Sequence, residues 1–335
     1  MSRAWMAAAL VFALAATAAM ARADETAQAV PIRGDGSKIR VLDNPYGTLA
    51  WPRFAIKKLA LDKKYGLDME LVPYANTPIG ATIMQANGAD LGLFGWNDIG
   101  RMRNAGLNVV GVAPLLKWAD YVVVSPASTA RTLADLKGKT VGTTARSNLN
   151  WIVMRATAQK VYGFDLEKEA NVQEGAVNLL RGLLEQDKLD ATVMYNDFTP
   201  AMVAAGKARV LVEIKGLIAA LGLPDTPFLL VTANADYAAA HPANVKAYLA
   251  AYREAMDNLK TDDSVWLEHG QELKMTDPQA LAALREEMRA DLVSTFSPTT
   301  EADIRKNFQV LLETAGEAVL GLKQLPDGFM TLAYQ

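Results

Sequence analysis

The sequence predicts an α/β protein. Short runs of Val, Leu and Ile recur along its first two thirds, several without the polar alternation of a half-exposed strand. Helical patterns separate many of these runs, and capping or stop residues stand at the junctions. Continuous apolar runs mark strands buried on both faces, and strands alternating with helices build βαβ units.

Strands are expected at 39–42, 69–72, 91–94, 109–112, 121–124, 140–143, 191–194, 209–214 and 228–231. After the first, Thr48 can cap a helix through Trp51 and Ile56 that stops at Gly66. Thr77 places a capping hydroxyl before Pro78 at a first helical position, and Gly88 supplies the stop. Ser147 and Asn148 can cap a helix that runs to Gly163. Beyond residue 240 helix follows helix. Val245, Leu249, Tyr252, Met256 and Leu259 recur at spacings of three and four, one apolar face. Leu281, Leu284, Met288 and Leu292 repeat it behind Asp277 and Pro278, and Ile304, Phe308 and Leu311 repeat it again. These residues are core.

The chain has 335 residues, 51% of them hydrophobic, enough for about two domains with large cores. It has no cysteine, which excludes disulfides, thiolate metal sites and a cysteine nucleophile. Its two histidines, His241 and His269, are 28 residues apart, which excludes a His-rich metal centre. Lys and Arg number 34 against 37 Asp and Glu, a balance that argues against nucleic acid as a partner.

Residues 1–23 read as a cleaved signal peptide: Arg3 gives a positive start, 4–20 are uncharged and apolar, and Ala21 and Ala23 offer the small residues a peptidase needs. Cleavage removes Arg3 and Arg22, leaving 32 positive and 37 negative groups and a net charge of −5. Without a cysteine at the cut no lipid can be attached, so the product is expected to be free in an exported compartment. Residues 24–37, polar and small, read as a flexible lead-in.

No GxSxG elbow, GxxxxGK[ST] loop, HExxH or GxGxxG occurs in the sequence. His241 stands before Pro242 at a helix start, a structural position, and His269 beside Glu268 reads as solvated. The pattern points to a binding protein rather than an enzyme, with no metal and no cofactor.

Ligands of open α/β sheets bind beyond the carboxyl ends of strands. There the sequence places Asp43, Tyr46, Gly47 and Thr48; Trp96, Asn97 and Asp98; Lys117 and Trp118; Arg146, Ser147 and Asn148; and Tyr195, Asn196 and Asp197. Four of the six tryptophans (Trp51, Trp96, Trp118 and Trp151) fall near such ends. Aromatic walls with a few convergent polar groups are what a small-molecule cleft needs. The same polar residues also suit helix caps, and the tryptophans also suit core packing.

At this point the chain resembles a family. GADLGLFGWND at 88–98 is similar to a "G-x-x-D-x-x" strand and ligand turn. LADLKGKTVG at 133–142 is similar to a "DLKGKxVG" lead into a second lobe, and LRGLLEQDKLDATVMY at 180–195 to an "LLxGxxDAxxxxxP" segment, with Gln186, Asp187 and Lys188 where a Gly is usual. The family is that of the type II periplasmic solute-binding proteins of ABC importers, in the nitrate, sulfonate and taurine group that includes thiamine-precursor binders.

The resemblance implies a two-lobed periplasmic binding protein type II fold, with mixed sheets and two crossover segments. Lobe one would be 38–122 with 225–335, and lobe two 123–224. It further implies a small ligand between the lobes, an inner-membrane permease as partner, a periplasmic location and a monomer. Tyr46, Gly47, Thr48, Trp96 and Asn97 would line lobe one; Ser147, Asn148, Tyr195 and Asn196 would line lobe two. Trp118, Arg146 and Asp197 stand close enough to join them. A sulfonate or small organic acid is the favoured ligand, with Arg146 and Lys117 as nearby cations. Asp43, Asp98 and Asp197 could instead hold an amine, and the tryptophans an aromatic or pyrimidine-like nutrient. A receptor for a membrane sensor is the other role such a sequence allows.

Overall fold

The computed structural model describes residues 31–44, 47–48, 50–74, 76–275 and 277–335, and 33–335 form one compact unit. The expected signal segment, the first part of the expected lead-in and Tyr46 lie outside the described residues.

The chain starts with β1 (Lys38–Asp43), α1 (Ala50–Lys58) and α2 (Leu61–Lys64). One helix was expected from Thr48 to Gly66. Ala60, at φ +51°, breaks it in two. Next come β2 (Asp68–Pro73), α3 (Thr77–Gln85), β3 (Leu91–Gly95), α4 (Trp96–Asn104) and β4 (Val109–Leu116). The chain then crosses to β5 (Tyr121–Val124), β6 (Thr140–Thr143), α5 (Leu149–Tyr162), α6 (Leu166–Glu169), β7 (Asn171–Glu174) and α7 (Val177–Glu185). It continues through β8 (Ala191–Met194), α8 (Thr199–Ala204) and β9 (Arg209–Glu213). Helix α9 (Ile214–Ala220) opens the return to β10 (Leu229–Asn234). Helices α10 (Ala235–Ala240), α11 (Pro242–Thr261), α12 (Ser264–Glu272), α13 (Pro278–Asp291), α14 (Thr300–Ala315) and α15 (Glu317–Leu320) finish the chain.

Two five-stranded sheets result, in the orders β2-β1-β3-β10-β4 and β7-β6-β8-β5-β9. They share one pattern. Three strands are parallel (β2-β1-β3 and β7-β6-β8), and the fourth, β10 or β5, runs antiparallel to both neighbours. In each sheet that antiparallel strand is the one that arrives from the other sheet. The sheets are therefore mixed, which the apolar runs alone did not reveal. All nine expected strands form. The tenth, β7, has the sequence NVQE, in which Val172 is the one apolar residue. At a sheet edge it needs no apolar face, so it leaves no hydrophobic signal.

The crossings are 117–120 and 214–228, so the change of lobe comes a few residues before the expected boundary at 122. They are hydrogen-bonded to each other at both ends. The Phe228 amide donates to the Leu116 carbonyl at 3.0 Å, and the Ile214 amide to the Asp120 carbonyl at 2.9 Å. Helices α11 and α12 pack on α1, while α13 and α14 reach across to α8 and α5 of the second lobe.

Residues 33–37 are not loose, contrary to the expected lead-in. The Gly34 amide donates to the Tyr65 carbonyl at 2.8 Å, and the Asp35 amide to Asn244 Oδ1 at 2.9 Å. His241 Nδ1 lies 2.9 Å from Asp35 Oδ2. Hydrogen bonds from Ser37 and then His241 hold the Asp35 carboxyl down at about 2.

Helix α3 also begins differently from the reading above. Thr77 is already helical, and the cap is Asn76, whose Oδ1 accepts the Ile79 amide at 3.1 Å. Losing a side-chain cap typically costs ~1 kcal/mol. Asn76→Ala is therefore expected to lower unfolding stability by about that amount and Thr77→Ala by much less, as measured by urea titration. Equal losses would return the cap to Thr77.

Candidate functional site

The two lobes meet where the carboxyl ends of their strands face each other. Beyond β1, the Gly47 amide donates to Asp197 Oδ2 at 2.7 Å, and Thr48 Oγ1 donates to Asn196 Oδ1 at 3.3 Å. From α4, both terminal guanidinium nitrogens of Arg101 reach the Ser147 carbonyl at 3.3 Å. Gly95, at the end of β3, leaves room for the other lobe: a Cβ there would stand 3.2 Å from a methyl of Leu149. These contacts define a polar seam with lobe one on one side and the turns after β6 and β8 on the other.

The seam is rich in carboxylates. Asp43 pairs with Arg53 at 2.5 Å, and Asp98 pairs with Arg101. Burial pushes both carboxyls up, and the paired arginines pull them back. Asp120 and Asp197 have only 5% and 8% of their surface exposed. Asp120 Oδ2 accepts from Asn150 Nδ2 at 2.6 Å and its Oδ1 from the Asn196 amide at 3.1 Å. Burial pushes Asp120 up to about 7 and Asp197 up to about 6, because amide donors compensate less than a cation would. Two tyrosines stand among them, Tyr74 after β2 and Tyr195 after β8. Burial raises the Tyr195 phenol to about 12 despite a hydrogen bond with Thr144, and it raises Tyr74 as well.

The expected site residues separate into two groups. Gly47, Thr48, Ser147, Asn196 and Asp197 meet at the seam. Thr48, expected as a cap, spends its hydroxyl on Asn196. Asn148 caps α5 through Oδ1, accepting the Asn150 amide at 2.9 Å, at the lobe-two side of the seam. Tyr195 stands among the seam carboxylates. Asn97 is fully buried in α4, its Nδ2 3.5 Å from the Leu320 carbonyl.

The second group points elsewhere. Trp51, Trp96, Trp118 and Trp151 have no exposed surface. Trp96 meets Phe308 edge-on at 6.4 Å between ring centroids, and Trp118 stacks on Phe228 at 5.0 Å, where the two crossings meet. Trp51 packs on Trp266 at 4.5 Å. Trp151 Nε1 donates to Glu167 Oε2 at 3.1 Å. Large rings near strand ends are core here, because a strand that dives into a buried sheet needs bulk behind its turn. Arg146 is tied to Glu167 at 2.7 Å and Glu174 at 2.8 Å, and Lys117 to Asp225 at 2.9 Å, so neither is a free cation for the seam. His269 is not solvated. It is 2% exposed, stacked on Phe54 at 4.5 Å, and burial lowers its pKa.

The sequence reading missed Arg53, Arg101, Tyr74 and Asp120. The two arginines lie one turn into the helices that follow β1 and β3, a position from which a side chain reaches back to the strand end. Asp120 stands between Trp118 and a run of β-branched residues, an acidic group where the flanking pattern calls for an apolar one. That mismatch was the available signal. Among the described residues no cluster of His, Cys, Asp and Glu forms a metal site.

The Asp120 carboxyl, at about 7 in the fold, binds protons more tightly than the ~3.9 of an unfolded Asp. Its contribution to stability is full below the unfolded value and is lost as pH rises through about 7. Wild type is therefore expected to gain stability over Asp120→Asn as pH falls from ~8 to ~5, read as the difference in urea midpoints. A flat difference would mean that Asp120 is not held protonated. The variant is accommodated because Asn150 Oδ1, buried and without a donor, can accept from the new amide once Asn150 turns over.

Comparison with known proteins bears on the fold and the family. The family described as NMT1/THI5 like matches residues 62–263. Among solved structures, the alkanesulfonate-binding protein SsuA of Xanthomonas axonopodis pv. citri, bound to MOPS, aligns with a TM-score of 0.74 at 17% identity, over 88% of this chain and 98% of that one. The periplasmic aliphatic sulphonate-binding protein SsuA of Escherichia coli aligns at 0.67 and 18%, over 86% and 89%. The periplasmic nitrate-binding protein NrtA of Synechocystis PCC 6803 aligns at 0.57 and 15%, over 76% and 69%. Comparison with curated proteins gives no match. The fold is that of the two-lobed periplasmic binding proteins, and the chain belongs to the NMT1/THI5-like family.

Proposed function

We propose that this chain is the solute-binding component of an ABC importer. It is exported to the periplasm by its first 23 residues, captures a small organic ligand between its lobes and presents the closed form to an inner-membrane permease. The observation that carries this reading is the polar seam, built from strand-end turns of two sheets that share one topology and are joined by paired crossings. Such crossings suit hinge bending. Among the described residues no helix is long and apolar enough to cross a membrane.

The ligand class favoured here is a sulfonate, taurine-like, or a small organic acid. Neighbours named for sulfonate and nitrate support it, as does the buried Asn196 Nδ2, a donor without an acceptor that suits an anionic oxygen. An aromatic or pyrimidine-type nutrient would need exposed ring faces, and the four tryptophans do not offer them.

Native mass spectrometry followed by thermal shift with sulfonates, nitrate and organic acids tests the reading. A ligand at ~100 times its dissociation constant adds roughly 2.7 kcal/mol. Asn196→Ala is expected to abolish the shift while leaving the fold intact. An undiminished shift would put the ligand somewhere other than this seam.

A further inference from the structure

Charge along the seam is unevenly matched. Among the described residues the arginines near it are already committed: Arg53 to Asp43, Arg101 to Asp98, Arg146 to Glu167 and Glu174. Asp120 and Asp197 receive only amide donors, from Asn150, Asn196 and Gly47. Among the described residues the cation that acts on Asp197 is Arg181, whose guanidinium lies 5.3 Å over the Phe198 ring.

Asp197 also has an oxygen to spare. Its Oδ2 is held by lobe one, so its Oδ1, on the same carboxyl carbon, lies at the seam; that oxygen is buried and has no donor. On the adjacent residue, Asn196 Oδ1 is held by Thr48 while Nδ2 is buried without an acceptor. An unpaired buried carboxylate is costly, and removing the cost takes a cation or a proton. A neutral or purely anionic guest would leave the imbalance or enlarge it.

We propose that the ligand carries a protonated nitrogen, for which Asp197, backed by Asp120 in the first crossing, is the counter-charge in the closed cleft. The inference rests on the binding role proposed above and specifies the chemistry of that site. Oδ1 of Asp197 accepts the N–H of the ligand, and Nδ2 of Asn196 donates to an acceptor on the same molecule. The Tyr195 phenol stands within electrostatic range of Asp98, Asp120 and Asp197, and Tyr74 within range of Tyr195 and Asp43. Both rings thus belong to the environment of the charge, where aromatic faces favour organic cations.

The test uses matched pairs on the full mature protein: taurine against isethionate, 4-aminobutyrate against 4-hydroxybutyrate, and phenethylamine against 2-phenylethanol. Each pair differs in an amine against a hydroxyl. Thermal shift finds the binders and calorimetry measures them. The amine of at least one pair is expected to bind at least about tenfold more tightly than its hydroxyl partner, and Asp197→Asn is expected to erase that preference. Equal binding of the two members, or a preference that survives in Asp197→Asn, overturns the inference while leaving the binding role in place. If none of these compounds binds, and neither do ethanesulfonate and nitrate, the binding role itself fails and the inference falls with it. The wild-type comparison needs no variant, so a misfolded Asp197→Asn would not rescue the idea.

Discussion

Asp120 fastens four segments at one point. Its carboxylate takes the amide of Asn196 and the side chain of Asn150, and its main-chain carbonyl takes the amide of Ile214. The first crossing, the start of the second, the turn after β8 and the head of α5 are thereby held together without a cation. A carboxylate compensated only by dipoles is stable where those dipoles cannot move, so its burial demands a rigid surround. The turn that carries Asn196 and Asp197 to the other lobe owes its position to that demand. At the far end of the crossings, Phe228 pairs with Leu116 and stacks on Trp118. The two crossings are thus fastened to each other at both ends.

The seam itself is modest in energy. A hydrogen bond contributes ~0.5–1.5 kcal/mol net, and one to a charged group ~1.5–3. The contacts of Gly47, Thr48 and Arg101 across the cleft therefore amount to a few kcal/mol, from which the burial of Asp197 subtracts, apart from the packing of α13 on α8 and α14 on α5. Under the binding role proposed above, a ligand would act by the difference in its affinity for the open and closed states. Strong interlobe bonding would close the protein permanently, and none would leave the ligand to supply everything. The partly satisfied groups of Asn196 and Asp197 sit between those limits.

What the sequence made legible follows from what burial writes into it. Buried strands need continuous apolar runs, so β1, β3, β4, β5 and β8 could be read directly. The edge strand β7 needs no such run and went unread. Strand direction is set by which sheet a strand joins, a long-range fact, so β5 and β10 looked like the rest. At the site, the turns could be located because they follow the strands. Which side chain in each turn faces the seam could not, because neighbouring residues on a helix point about 100° apart. Asn97 and Trp96, or Asn150 and Trp151, are indistinguishable by position alone.

That adjacency has its own logic. Several of these turns pair a polar residue with a tryptophan, and the tryptophan goes inward: Trp151 to Glu167 of α6, Trp118 to Phe228 at the crossings, Trp51 to Trp266 of α12. A loop end carrying only small polar groups would fluctuate, and a loose donor or acceptor loses much of its value in binding. A large ring locked in close-packed surroundings fixes the backbone of the turn that carries the group to be held still. The rings that first looked like the wall of the cleft are better understood as its foundations, and the wall is the polar surface they hold in place.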